Sequence, residues 1–299
     1  MKKPLLILML SALIFSCDDV VDTEIVSIEQ TIYISSFISP EIDSLRVNIS
    51  RTLPALGLEI NTVNPEQDLG RFLIEDAEVR ISNSTGSSVQ LPYNAAQFQY
   101  AESTDQLRIV PGETYLLTVE AEGRTYTANC TVPLDNIAAI DQQIRVSTDE
   151  FGFSSYDLDI GFIDIPDEDN FYVVGAFLDV PSEENLGFVR TIGFELEAFQ
   201  TDNLRDGLEI GANTEFFPDV IFNENYEPEI VEQDLVMQVM LAERPLFNLL
   251  RANYLNDTNE GDPFLELSVE PNTIRGEGGT GIFAAYRYFE KRLPLQEEF

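Results

Sequence analysis

The stretch from Thr114 to Val132, TYLLTVEAEGRTYTANCTV, decides the fold. Tyr115, Leu117, Val119 and Ala121 fall on alternate positions, and after Glu122 and Gly123 so do Tyr126, Ala128, Cys130 and Val132. Successive side chains of an extended chain point to opposite faces, so this period of two places all eight on one side. With a turn at Glu122 and Gly123, the segment is predicted to be a β-hairpin. Cys130 shares the apolar face and reads as core; a nucleophilic thiol would need exposure and a nearby base. Pro111 and Gly112 set the turn before the hairpin, and Pro133 ends it.

The same period extends upstream. Leu45, Val47 and Ile49 alternate with Arg46, Asn48 and Ser50, and Ala77, Val79 and Ile81 with Glu78, Arg80 and Ser82. Several short strands separated by turns over roughly 100 residues predict an immunoglobulin-like β domain over residues 29–136. Residues 134 to 150 read as a polar connector, and a second β domain is expected over 137–299.

In that second half Tyr156, Leu158, Ile160 and Phe162 alternate with polar residues and Gly161. Phe171 to Val180 is nearly continuous in apolar character, the mark of a strand covered on both faces. Further strands are expected at Phe194–Ala198, at Leu235–Leu241, at Leu265–Val269 and from Gly281 to about Tyr288. The exception is Glu243 to Leu255, where Pro245 suits a first helical turn and Leu246, Leu249, Leu250 and Tyr254 recur at helical spacing. The expected class is therefore mainly β, two β-sandwich-like domains with one short amphipathic helix near 243–255.

Composition narrows the chemistry. Fifty-three acids against 17 bases give a net charge of −36, which repels nucleic acid and anionic lipid head groups. The chain has no histidine, the usual general base and metal ligand near neutral pH. Its hydrophobic fraction of 44% and 20 phenylalanines are ample for a packed core.

At the amino terminus, Lys2 and Lys3 precede an apolar run from Pro4 to Phe15, then Ser16, Cys17, Asp18 and Asp19. The run is far shorter than the roughly 20 residues that cross a bilayer, so it reads as a secretory signal over residues 1–16. Ile14, Phe15, Ser16 and Cys17 resemble the bacterial lipobox, which implies cleavage before Cys17 and acylation of its sulfur. Two or more acyl chains give stable membrane anchoring. A lipidated Cys17 leaves Cys130 as the remaining cysteine, without a partner for an internal disulfide. Residues 17–28 read as a tether, and the acidic pair Asp18 and Asp19 resembles the signal that sends lipoproteins of Bacteroidota to the outer face of the outer membrane.

Three constellations could carry chemistry. Gly276, Gly278 and Gly281 meet the GxGxxG spacing of dinucleotide sites, but a strand-like IFAAY follows instead of a helix. A glycine loop between strands is expected, with a packing or partner-docking role for Gly276, Gly278, Gly279 and Gly281. Asp164, Asp167 and Asp169 in one acidic loop, and Asp257 in another, are calcium candidates, since hard cations take six to eight oxygens. Asp157 with Asp159, or Glu195 with Glu197, could be a glycosidase acid and base, but polar positions of alternating strands carry charge anyway. Asp43, Ser44 and Leu45 match the short O-glycosylation acceptor pattern of Bacteroidota. No catalytic residue, resident metal or cofactor is assigned.

The segments IYISSFISPE, VNISRTLPALG, IEDAEVRI and IVPGETYLLTVEAEGRTYTANCTVP, with PFLELSVEPNTIRGEGGTGIFAAY near the far end, resemble the domain-of-unknown-function 4249 family, DUF4249, lipoproteins of Bacteroidota. Such proteins are commonly encoded beside TonB-dependent transporters of the outer membrane. The resemblance implies an accessory or ligand-binding subunit of a nutrient uptake system, held to the outer membrane by its lipid and partnered by the transporter. The alternative is a stand-alone surface lipoprotein that binds glycans or matrix.

Overall fold

The computed structural model describes residues 31–52, 70–180, 188–203, 205–222, 228–258 and 271–295. The expected signal segment and tether, Cys17 and the strand expected at Leu265–Val269 lie outside them. In chain order the first half holds β1 (Ile32–Ile38), β2 (Ser44–Arg51), β3 (Glu78–Asn83), β4 (Ser88–Leu91), β5 (Tyr93–Asn94), β6 (Gln99–Ser103), β7 (Thr114–Ala121) and β8 (Arg124–Thr131). There follow β9 (Asp141–Thr148), β10 (Ser154–Ile163), β11 (Phe171–Val180), β12 (Phe188–Ile192), β13 (Phe199–Thr201) and β14 (Glu209–Phe216). Last come β15 (Val220–Phe222), β16 (Pro228–Ile230), β17 (Asp234–Ala242), the helix α1 (Arg244–Thr258) and β18 (Gly279–Pro294). The chain is mainly β, built from several stacked sheets.

The hairpin forms as its alternation requires. Ala121 pairs with Arg124 across a two-residue turn in which Glu122 and Gly123 have φ of 51° and 74°, the hand that matches strand twist. All eight predicted inward residues are at most 4% exposed. Burial pushes the Cys130 thiol well above its ordinary value, which keeps it protonated. The hairpin belongs to a four-stranded sheet in the order β4-β3-β7-β8.

Beneath it runs a nine-stranded sheet, β12-β11-β17-β18-β1-β2-β6-β5, with β13 also paired to β11. Its central strand is the last among the described residues. Over 16 residues, about 50 Å, β18 pairs in parallel with β1 and antiparallel with β17. Its alternation shows how the layers stack. Phe283 and Ala285 enter the core under the four-stranded sheet, while Phe289 and Leu293, of the same parity, pack against a second core under the sheet β14-β10-β9. Both small sheets therefore cover one face of the large one. Ile282 and Ala284 point to the opposite face, where they meet Leu246, Phe247 and Leu249 of α1. Glu243 immediately precedes the helix, and its carbonyl accepts from Phe247 N at 3.1 Å to close the first turn.

Between the two cores, polar groups of β18 hold the chain that links them. Arg287 donates to the Leu134 carbonyl at 3.0 Å and pairs with Glu41 at 3.0 Å. Asn136 donates to the Tyr288 carbonyl at 3.1 Å, and Lys291 donates to the Ile140 carbonyl at 2.7 Å.

Three expectations about elements need correction. The polar connector over 134–150 contains β9, an edge strand whose Ile144 and Val146 are only partly buried against the second core, so its alternation is diluted by solvent-facing polar residues. Phe194–Ala198 is not a strand: Glu195–Ala198 forms a 3-10 turn in which Glu195 has φ of 52° and Leu196 is 51% exposed. Three alternating apolar residues are too few to outvote local turn geometry. The closing strand runs from Gly279 to Pro294, well past Tyr288, because Arg287, Lys291 and Arg292 occupy positions a hydropathy pattern reads as loop.

Candidate functional site

The face of the large sheet that bears α1 is open beside the helix. There β18, β1, β2 and β6 line a cleft of about 640 Å³, within the size range of small-molecule sites. The even positions of β18 bring Tyr286 and Tyr288 to this face, with ring centroids 6.4 Å apart and planes inclined by 25°. Phe37 of β1 adds a third ring, packed against the cluster beneath α1. From β2 and β6 come Arg46, Asn48 and Gln99, on the residues that alternate with buried Leu45, Val47 and Tyr100. Glu41 and Asp43 close one end. Glu41 is held by Arg287 and by the Ser39 hydroxyl at 2.5 Å. Burial, reinforced by the neighbouring phenol and Glu41, raises the Tyr286 hydroxyl above its ordinary value; burial, Glu290 and Glu41 do the same for Tyr288. Both phenols stay neutral, able to donate and accept hydrogen bonds. Flat rings beside amide and guanidinium groups suit a ligand with an apolar face and a polar rim.

The glycine loop serves the framework. Arg275 exchanges backbone hydrogen bonds of 2.8 and 2.9 Å with Thr127 of β8, and four residues later the chain enters the large sheet. The loop is thus the corner between two sheets. A Cβ on Gly276 would lie 2.8 Å from the Thr125 carbonyl, one on Gly278 would meet Arg124, and one on Gly279 would strike the Tyr126 ring. Gly281, at φ +122°, passes so close to Ile34 that any side chain would collide with the Ile34 backbone. The spacing that imitates a dinucleotide motif follows from this close approach to β8 and β1.

The calcium candidates do not come together. Asp164 is 2% exposed and accepts from the Tyr172 hydroxyl and from Gly207 N, each at 2.8 Å. The Asp167 amide is bonded to Asp206 at 2.8 Å. Asp257 lies on the exposed last turn of α1, far along the sequence from Asp169. Among the described residues no group of three or more acidic or sulfur ligands is placed to hold a metal ion. Asp157 and Asp159 both face Arg145, at 3.8 and 2.7 Å. Glu197 accepts from Asn213 N at 2.9 Å, with Glu195 on the same 3-10 turn. Ser44 opens β2 at the rim of the cleft, followed by fully buried Leu45.

The aromatic pair was not singled out from sequence, although Tyr286 and Tyr288 at i and i+2 in a strand ending amid charge are the signal that marks it.

Fold and cleft define a sheet-built protein with an open cleft on one face of its large sheet. The family model described as "Domain of unknown function (DUF4249)" matches residues 18–292, and the chain belongs to that family. No curated protein matches it.

Proposed function

We propose that the protein is an outer-membrane lipoprotein that serves a TonB-dependent nutrient uptake system as a ligand-binding or accessory subunit. The observation that supports ligand capture is the cleft with the paired rings of Tyr286 and Tyr288 beside Arg46, Asn48 and Gln99. A neutral saccharide fits its chemistry: the rings stack on the apolar face of a sugar, and the polar groups take its hydroxyls. An anionic ligand would meet Glu41, Asp43 and a chain of net charge −36. The address rests on the lipobox at Cys17 and on the family resemblance.

Two measurements test the proposal. Glycan arrays probed with the full mature chain should show binding that Tyr286→Ala with Tyr288→Ala abolishes. Affinity purification of the tagged lipoprotein from detergent-solubilised membranes of its host should recover a β-barrel transporter. Binding without transporter recovery would favour the stand-alone surface lipoprotein. Saccharide binding that survives both substitutions would remove the cleft from the proposal.

A further inference from the structure

A second surface lies at the far end of the large sheet. Val180 pairs with Phe188, and Leu178 with both Arg190 and Leu235, which in turn pairs with Leu293 at the close of β18. Phe188 and Val189 are 50% and 61% exposed there. Arg190 reaches from the same strand to the Phe217 carbonyl, and Phe217 is 57% exposed. Phe216 pairs with Tyr156 of β10, whose first residue, Ser154, follows the turn that carries Phe151, 72% exposed. Strand register thus gathers the rings of Phe188, Phe217 and Phe151 at one end of the second half, on the side to which Ile192 and Arg190 also point, while Val189 turns to the other face of β12.

The turn that presents Phe151 is set before anything binds. Asp149 accepts from both Phe151 N and Phe153 N at 2.9 Å, its own amide donates to the Phe153 carbonyl at 2.9 Å, and Gly152 sits at φ +87°. A ring held on a fixed turn loses little freedom on docking. At such exposures the three rings present on the order of 350 Å² of apolar surface, the scale of the largest patch on an ordinary monomer and often a functional one.

The charges around them select the occupant. Arg190 is paired with Asp219 at 3.1 Å, and Arg292 with Asp179 and Asp234 at 2.6 and 3.0 Å. Glu150 and Glu215 stand exposed at the same end. The rim is therefore negative. A second copy, equally acidic, is repelled. A membrane is disfavoured too: residues 1–30 join the fold beside Ile32 and Gly279, about 45 Å away along β18. We propose that this end docks a protein partner whose apolar sockets are rimmed by lysine and arginine. This surface lies apart from the cleft and stands whether or not the cleft binds sugar.

The test places p-benzoylphenylalanine at position 151, and separately at 217, in the full-length chain in its host. Irradiation should yield one crosslinked protein, attached through an apolar peptide flanked by basic residues. The purified pair should then bind, with Phe151→Ser plus Phe217→Ser lowering affinity at least tenfold, Phe188→Ser lowering it in the same direction, and added salt weakening it. Leu116→Ser, at an exposed apolar site on β7, should leave affinity unchanged. Crosslinks only to a second copy, to lipid or to nothing would overturn the proposal. So would an acidic partner peptide, or a double variant that binds like the wild type.

Discussion

Replacing Gly281 by alanine tests the joint between the first and last strands. The residue sits at φ +122°, a region costing an L-residue about 1–3 kcal/mol. The new methyl would also overlap the Ile34 carbonyl and lie 2.8 Å from Ile34 N. Ile34 is fully buried in β1 and paired on its other side with Ile49, so β1 has no room to retreat. Overpacking of this kind adds about 1–3 kcal/mol. A stiffer unfolded chain returns about 0.4–1 kcal/mol, which leaves a net loss of about 1–5.5 kcal/mol, centred near about 3. Gly175→Ala in β11 is the matched control: no atom lies within 4 Å of the added carbon, and stability should change by less than about 1 kcal/mol. Urea unfolding of the mature chain reports both, followed by far-UV circular dichroism and by the fluorescence of its 11 tyrosines, there being no tryptophan. With a slope near ~3 kcal/mol/M, the G281A midpoint should fall by about 1 M. Equal midpoints for G281A and G175A would refute the reasoning.

Other consequences can be measured with the same protein. The Glu243 carboxylate accepts from Thr131 N and Ala285 N, each at 2.7 Å, and burial outweighs those bonds to raise its pKa above 4.5. A raised folded-state value contributes stability below the unfolded value that is lost as pH rises through the folded one. Glu243→Gln leaves a single acceptor oxygen for the two amides and should be destabilised by about 1–3 kcal/mol, with a gap to wild type that narrows as pH climbs above 4.5, seen in urea midpoints across that range. Arg287→Ala removes the Glu41 pair and the Leu134 bond and should cost about 2 kcal/mol. Arg145→Ala, which breaks an exposed pair, should cost less than about 1 kcal/mol in the same unfolding assay. In a chain beginning at Asp18, Cys130 should resist maleimide until urea unfolds the protein; labelling of the native state would contradict its burial.

The parts legible from sequence are those in which one strand writes its own period. β7, β8 and β10 each carry an uninterrupted alternation against one core, β17 shows itself as a nearly continuous apolar run covered on both faces, and α1 announces itself through Pro245 and the spacing of its leucines. What the pattern could not express is partnership at long range. Nothing in IFAAY says that its strand lies parallel to IYISSFI, because pairing depends on matched backbones and not on composition. The same gap hid the cleft, since Arg46, Asn48, Gln99 and the two tyrosines become neighbours only when β18, β1, β2 and β6 lie side by side. The glycine spacing was visible, and its cause was not: the collision with Ile34 comes from a strand about 250 residues away. β9 was missed because an edge strand dilutes its own signal.

Placing two adjacent central strands about 240 residues apart constrains how the molecule can be made. A ribosome releases β1 long before β18 exists, so β1 must wait with one edge unpaired while the residues between them are made. Helpers that shield nascent chains should matter until β18 emerges. A stop codon shortly before Gly279 should leave no folded half to rescue.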